Sequence, residues 1–324
     1  MLTPPLDLDS AALVAALARA WGLAPVTLEY RPVGWGSHHW AVADGAGWRW
    51  FLTVDDLASK RHTRDEPLDA AADRLSAALA TAAALHERGH AFVVGPVSTL
   101  DGAPTVRISE RYVAALTPYL DGERFGWGPF PTEEHRDAVV AMVVALHKGP
   151  APAGTPVDDF VIPHRDELEA ALAGTPSTVE GPYTAKLAAL VAAHEPAIRS
   201  VLARYDELVG AADPGRAVLT HGEPHPGNTM RVGGDWRLID WETVRVAQPE
   251  RDLWGLIHSS PDVRDGYELA TGVAPDPAML ELFRLRWDLA DLAVDVSRFR
   301  RPHEGSPEDD QAWTILSGVI TSLT

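Results

Sequence analysis

A chain of 324 residues is long enough for two lobes with a sizeable core, and its 46% hydrophobic and 23% charged residues are ordinary for a soluble globular protein. A net charge of −18 argues against nucleic acid as a partner, because phosphates call for Lys and Arg, whereas an acidic cleft suits a cationic small substrate. The absence of Cys excludes disulfides and thiolate metal sites and fits the cytoplasm, and no stretch reaches the ~20 apolar residues of a membrane span.

The opening MLTPPLDLDS carries acids and no basic region and so does not read as a signal peptide, and its Met reads as a native start rather than a tag. Asp9 or Ser10 caps a helix through AALVAALARAW, stopped by Gly22, with Leu13, Leu17 and Trp21 on its packing face. The stretch from Val26 to Leu57 reads as three strands with turns at Gly34–Ser37 and Asp44–Gly47. In the first of these turns Gly34, Gly36 and Ser37 can fold over phosphates, their backbone N–H groups facing the anion. An Ala-rich helix over Leu68–Arg88 ends at Gly89, and AFVVGPV and PTVRISERYVAALTPYL supply two more strands. Beyond the aromatic loop Phe125–Phe130, Thr132 caps a helix running to His147 on a stripe of Val139, Met142, Val143 and Leu146. Lys148–Val157 is a Pro/Gly/Ala-rich loop, and helices follow over His164–Leu172 and Tyr183–Val209.

The stretch LTHGEPHPGNTMRVGGDWRLIDWET, Leu219–Thr243, carries the densest chemistry. Gly222, Pro224, Pro226 and Gly227 forbid a helix through His221–Asn228, so the polar side chains stand on a rigid loop. Strands are expected at Ala217–Leu219, Thr229–Val232 and Trp236–Ile239, with Gly233-Gly234 turning the last two into a hairpin. This arrangement suits phosphoryl transfer. The Glu223 carboxylate can accept the proton of an attacking hydroxyl, while the Asn228 amide oxygen and the Asp240 carboxylate can hold Mg²⁺ against nucleotide phosphates. A zinc-hydrolase reading of His221, Glu223, His225 and Asp240 departs from the HExxH spacing, and Pro224 breaks the helix it would need. Helices near Pro277–Arg300 and Glu308–Leu323 complete the chain; in the first, Asp288, Asp291 and Asp295 fall on nearby faces.

His221-Gly222-Glu223 with Asn228 five residues on, then Ile239-Asp240-Trp241, resembles the aminoglycoside phosphotransferase and choline kinase-like family, whose loop reads H-G-D-x-x-x-x-N followed by I-D-[WF]. The resemblance implies a two-lobed α+β protein kinase-like fold. Its N-lobe, residues 1–118, would be an antiparallel sheet plus helix covering the nucleotide, and its C-lobe, residues 119–324, would be mainly helical and carry the catalytic loop and acceptor-binding helices. It implies transfer of the γ-phosphoryl of ATP, or GTP, with Mg²⁺, to a small-molecule hydroxyl, first of all on an aminoglycoside- or aminocyclitol-type antibiotic. A sugar, amino-alcohol or homoserine-like metabolite is the alternative acceptor, and a kinase-like binding protein that no longer transfers phosphate is the alternative function.

The same resemblance places the interlobe connector at Thr117–Gly122, so that Thr117 and Tyr119 lie at the adenine edge, with Val42, Leu52 and Ile239 as candidate apolar lining. Asp252 would be a buried brace of the catalytic loop, His221 a second brace, and Glu242, Asp288, Asp291 and Asp295 candidate contacts for substrate ammonium groups. Two departures stand out. Glu223 occupies the position of the family's Asp, and Thr53 occupies the strand position where related kinases hold the α- and β-phosphates with Lys. Lys60, on the turn beyond that strand, is the nearest cation able to supply the missing contact.

Overall fold

The computed structural model describes residues 1–323. It is a mixed α+β structure with an antiparallel N-terminal sheet and a mainly helical C-terminal part, as the sequence implied. The chain divides into two compact units: Met1–Lys60, Leu68–Asp158 and Pro214–Pro275 form the first, and Arg61–Pro67, Asp159–Asp213 and the chain from Asp276 form the second. Among the described residues no helix is long and apolar enough to cross a membrane.

The first unit opens with helix α1 (Ser10–Trp21), capped by Asp9 and closed by Gly22 at a φ of 68°. Strands β1 (Pro25–Arg31), β2 (Ser37–Asp44) and β3 (Arg49–Asp56) form an antiparallel meander, after which the chain enters helix α2 (Leu68–Glu87). The short β4 (Val106–Arg107) and β5 (Tyr112–Pro118) complete a sheet of order β1-β2-β3-β5-β4. Successive side chains of a strand point to opposite faces, and the register therefore sorts this sheet into two surfaces. Trp40, Val42, Leu52, Val54, Ala114 and Leu116 share one face, where Leu13, Leu17 and Trp21 of α1 cover them. Burying side chains of that size stabilises by roughly 1.5–3 kcal/mol each, which ties α1 to the sheet. Val42 and Leu52 thus belong to the core beneath α1. The candidate nucleotide-facing surface carries the opposite parity, Ser37, His39, Phe51, Thr53 and Asp55. The AFVVGPV run forms no regular strand: it makes an isolated bridge from Val93 to the later Leu238 and one bond from the Val97 N–H to the Leu116 carbonyl of β5.

The chain then passes through β6 (Glu123–Arg124) and helix α3 (Glu133–Lys148), whose N-cap is Thr132. After the segment belonging to the second unit, β7 (Val218–Thr220), β8 (Thr229–Val232), β9 (Asp235–Leu238) and β10 (Arg245–Ala247) follow. Strands β8 and β9 form the expected hairpin, with Gly233 and Gly234 both at positive φ as a tight two-residue turn requires. Strand β6 pairs with β8, and β7 with β10. Gly122 enters β6 so close to β8 that a Cβ there would sit 2.5 Å from the Arg231 carbonyl oxygen. Two short helices that the hydrophobic pattern had not announced close this unit before Pro275 (Glu250–Ser259 and Val263–Thr271).

The second unit is helical. With the two short helices of the first unit counted as α6 and α7, it consists of α4 (Arg165–Leu172), α5 (Thr184–Gly210), α8 (Pro277–Phe299) and α9 (Pro307–Ser322). Helix α8 is its spine and packs against the other three, burying Leu289, Leu292, Val296 and Phe299. Glu167 and Arg300 form a buried ion pair at 2.8 Å within it.

Candidate active site

The loop between β7 and β8 is held by a buried carboxylate. Asp252, on α6, accepts hydrogen bonds from the backbone N–H of His221 at 2.9 Å and of Gly222 at 2.5 Å, and from His147 Nε2 at 3.1 Å. The other nitrogen of His147 meets the Tyr267 hydroxyl at 2.9 Å. Burial by itself would raise the Asp252 pKa, but the His147 hydrogen bond, with the Arg251 guanidinium behind it, outweighs that and holds the carboxyl below its ordinary value. Gly222 has a φ of 102°, and a side chain there would run into the Arg251 guanidinium, which bonds to Thr220 Oγ1 and the Thr243 carbonyl. Only Gly fits.

His221 is fully buried with both ring nitrogens committed: Nδ1 accepts from the Glu223 N–H at 3.2 Å, and Nε2 donates to the Ile239 carbonyl at 3.0 Å. Desolvation pushes its pKa down to about 4, so the ring is neutral at pH 7. A ring engaged on both sides cannot ligate zinc, which removes the geometric basis of the hydrolase alternative. His221 acts instead as a strut between the Glu223 loop and the chain entering Asp240.

Three of the candidate side chains read from the sequence lie near one another here. Glu223 lies beside His225, its Oε2 3.8 Å from Nε2. Burial works to raise the Glu223 pKa, yet the neighbouring His225 ring, with the Arg251 guanidinium behind, keeps it lowered. The carboxylate is therefore ionised at neutral pH. Asn228 donates from its amide nitrogen to the Glu223 carbonyl at 3.1 Å, which leaves the amide oxygen as the group to offer a ligand. Asn228 also fixes the next strand, because its backbone carbonyl receives the Ile239 N–H at 2.9 Å. Asp240 follows with a φ of 64°, a conformation uncommon outside Gly but tolerated by Asp. Desolvation, then Glu242, Glu223 and Asp55, raise its pKa well above the ordinary carboxylate value, against the opposing pull of Lys60.

Lys60 is the cation of this cluster. Its Nζ lies 2.8 and 2.6 Å from the two carboxylate oxygens of Glu242, 3.2 Å from Asp55 Oδ1 and 3.4 Å from Ser37 Oγ. Ser37 Oγ donates to Asp55 at 2.6 Å, so the start of β2, the end of β3 and the turn carrying Lys60 are tied to one buried acid. Gly34 and Gly36 have φ values of 71° and 89° in the turn above, and a Cβ on Gly36 would be 3.8 Å from Lys60 Nζ. Thr53 faces His39, whose Nδ1 is 3.2 Å from the Thr53 hydroxyl and whose ring stacks on Phe51 at 5.0 Å. At the end of β5, Thr117 bonds weakly to the Phe51 carbonyl at 3.4 Å, and the Tyr119 N–H donates to the Arg49 carbonyl at 3.2 Å beneath the Arg49 guanidinium.

Glu242 is thus engaged by Lys60, and the remaining acids proposed as substrate contacts belong to α8 in the second unit. Asp288 pairs with Arg284 at 3.1 Å; Asp295 is buried, and desolvation followed by the charge of Asp291 pushes it up to about 7. Sequence reasoning overlooked Asp55 and His39. The inward parity of Asp55 in β3 was the available signal, but its partners, Ser37 and Lys60, are set by tertiary structure.

A family model described as a phosphotransferase enzyme family matches residues 27–283. The curated protein StrN of Streptomyces griseus is 30% identical over 250 residues, covering 73% of this chain and 74% of its own. Among solved structures, spectinomycin phosphotransferase in complex with ADP and spectinomycin superposes with a TM-score of 0.70 at 15% identity, over 98% of this chain and 99% of that one. Choline kinase LicA from Streptococcus pneumoniae does so with a TM-score of 0.60 at 11% identity, over 96% and 98%. At such identities these two likenesses speak for the protein kinase-like fold.

Proposed function

The chain belongs to the phosphotransferase enzyme family, and from this we propose that it moves the γ-phosphoryl of ATP, or of GTP, to a hydroxyl of a small-molecule acceptor. The observation that carries the reading is the convergence of Glu223, Asn228 and Asp240 opposite a Gly-rich turn that has Lys60 beneath it. The donor set fits a divalent cation. Asp240 sits among Glu223, Glu242 and Asp55 with Lys60 as the compensating charge, and a hard ion bound to Asp240 and the Asn228 oxygen would relieve that crowding. When bound, such an ion would neutralise charge on the transferred phosphoryl group.

The chain's own residues do the rest. Glu223, kept ionised, orients the acceptor hydroxyl and takes its proton; such general-base assistance contributes typically about 10²–10⁴-fold. Lys60 supplies the phosphate contact that Thr53 cannot, and the N–H groups around Gly34, Gly36 and Ser37 cover the phosphates. The adenine edge falls to the chain at Thr117 and Tyr119, whose N–H at Tyr119 is already given to the Arg49 carbonyl, in the connector from a nucleotide-covering lobe (residues 1–118) to a lobe carrying the catalytic loop and acceptor helices (residues 119–324). An aminoglycoside- or aminocyclitol-type antibiotic is the acceptor class favoured here. The net charge of −18 supports a cationic acceptor. The absence of Cys fits work in the cytoplasm.

Thr53 and Glu223 together motivate one rival, a protein that binds nucleotide without transferring phosphate. Incubation with Mg²⁺-ATP or Mg²⁺-GTP and a panel of amino-sugar, aminocyclitol, sugar and amino-alcohol acceptors, read by mass spectrometry, separates the two. Transfer predicts an acceptor heavier by one phosphoryl group; tight nucleotide binding with no product across the panel favours the rival.

A further inference from the structure

Protein kinases hold their phosphate-binding strand Lys with a Glu from the helix packed on the sheet. Neither partner is in its usual place here. The strand position is Thr53, whose hydroxyl is taken by His39. Helix α2 presents no carboxylate to the site: Asp69 pairs with Arg107 at 3.3 Å, and Asp73 is exposed. What α2 does contribute is Arg74, which donates to the backbone carbonyl of Lys60 at 3.0 Å. A tight turn, closed by the Lys60 N–H on the Leu57 carbonyl at 3.2 Å, brings Lys60 back under the Gly34–Ser37 turn.

Around the ammonium group lie both oxygens of Glu242, at 2.8 and 2.6 Å, then Asp55 and Ser37 at 3.2 and 3.4 Å. The Lys60 side chain is 19% exposed and that of Asp55 only 3%, so these contacts are partly shielded from water and orient the group. Asp55 is already bound to Ser37, whereas both oxygens of Glu242 go to Lys60. We infer that Glu242 is the positioning residue for Lys60, supplying from the loop just beyond Asp240 the carboxylate that kinases take from a helix. One short segment then sets both the proposed metal ligand and the proposed phosphate grip, and Glu242 is withdrawn from the acceptor contacts. The inference rests on the reading of Lys60 as a phosphate contact.

The test is the dissociation constant for Mg²⁺-ADP, by calorimetry, together with KM for ATP and for the acceptor, in Lys60→Ala, Glu242→Gln, Glu242→Asp and the double variant Lys60→Ala/Glu242→Gln. Lys60→Ala weakens nucleotide binding by about tenfold or more, and Glu242→Gln by a comparable factor, with acceptor KM unchanged. The double variant is no weaker than Lys60→Ala, since a carboxylate acting only through Lys60 has nothing left to hold. Glu242→Asp recovers part of the loss and guards against a folding defect in the Gln variant. Normal nucleotide affinity in Glu242→Gln beside a weakened Lys60→Ala overturns the inference alone, as do additive losses in the double variant or a rise confined to acceptor KM. Unchanged affinity in Lys60→Ala overturns the underlying reading of Lys60, and the inference with it.

Discussion

Asp252→Ala removes the acceptor shared by three buried donors, and the structure allows the cost to be worked out. The His221 N–H, the Gly222 N–H and His147 Nε2 all point at one carboxylate that is only 2% exposed. A buried donor left without a partner costs about 1–3 kcal/mol, and breaking a buried charged network by removing one member costs about 3–5 kcal/mol. Water entering the space left by the carboxylate offsets part of the sum, so about 3–4 kcal/mol is expected, a fall in thermal midpoint of about 6–16 °C. The two compact units need not melt together, so calorimetry, which separates the transitions, is the appropriate assay. The loss should fall on the transition of the unit holding the catalytic loop. Because the His221–Gly222 backbone sets where Glu223 begins, kcat should fall even at temperatures where the variant is folded. A midpoint within about 2 °C of wild type, less than about 1 kcal/mol, would refute the reasoning.

His221 stays neutral in the fold, with its pKa pushed down to about 4 from an ordinary 6.5. The unfolded chain therefore binds the extra proton first, and stability should drop as pH falls from 6.5 to 4, by at most about 3 kcal/mol, with no change above 6.5; urea midpoints across this range should fall more steeply for wild type than for His221→Gln. Gly222→Ala forces a Cβ into the Arg251 guanidinium at a φ of 102°, so it should cost at least about 2 kcal/mol in the same melts. Glu223→Gln should lower kcat by about 10²–10⁴-fold at an unchanged thermal midpoint. Glu223→Asp withdraws the carboxylate by about 1.5 Å, and loses about tenfold or more if the site is built around the longer arm.

What could be read from the sequence and what could not divides along the range of the interactions. The Leu219–Thr243 stretch was legible because its chemistry is local: Gly222, the two prolines and the Gly233-Gly234 turn dictate the backbone that brings Glu223, Asn228 and Asp240 to one place. The face of the N-terminal sheet was harder. Val42 and Leu52 looked like pocket lining, but the alternation that puts them with Trp40 under α1 becomes visible only once the register is known. AFVVGPV has the apolar content of a strand but makes only an isolated bridge and a single further bond to neighbouring strands, and no local signal distinguishes those cases. The helices over Glu250–Ser259 and Val263–Thr271 are too short for a strong 3.6-residue pattern. Lys60 was reachable as the nearest cation to a strand that lacks one. Its carboxylate partner was not: Glu242 lies 182 residues away along the chain, a distance over which only the folded structure speaks.

The most direct measurement follows a label. ATP carrying an isotopically marked γ-phosphoryl group is given, with Mg²⁺ and an aminocyclitol or aminoglycoside acceptor, to wild type and to Asp240→Asn, and the label is located by mass spectrometry. The marked phosphoryl should appear on a hydroxyl of the acceptor with wild type, and not with Asp240→Asn, while the two proteins melt at the same temperature. Label released only as inorganic phosphate, or transferred at the wild-type rate by Asp240→Asn, would contradict the assignment of this loop as the site of phosphoryl transfer.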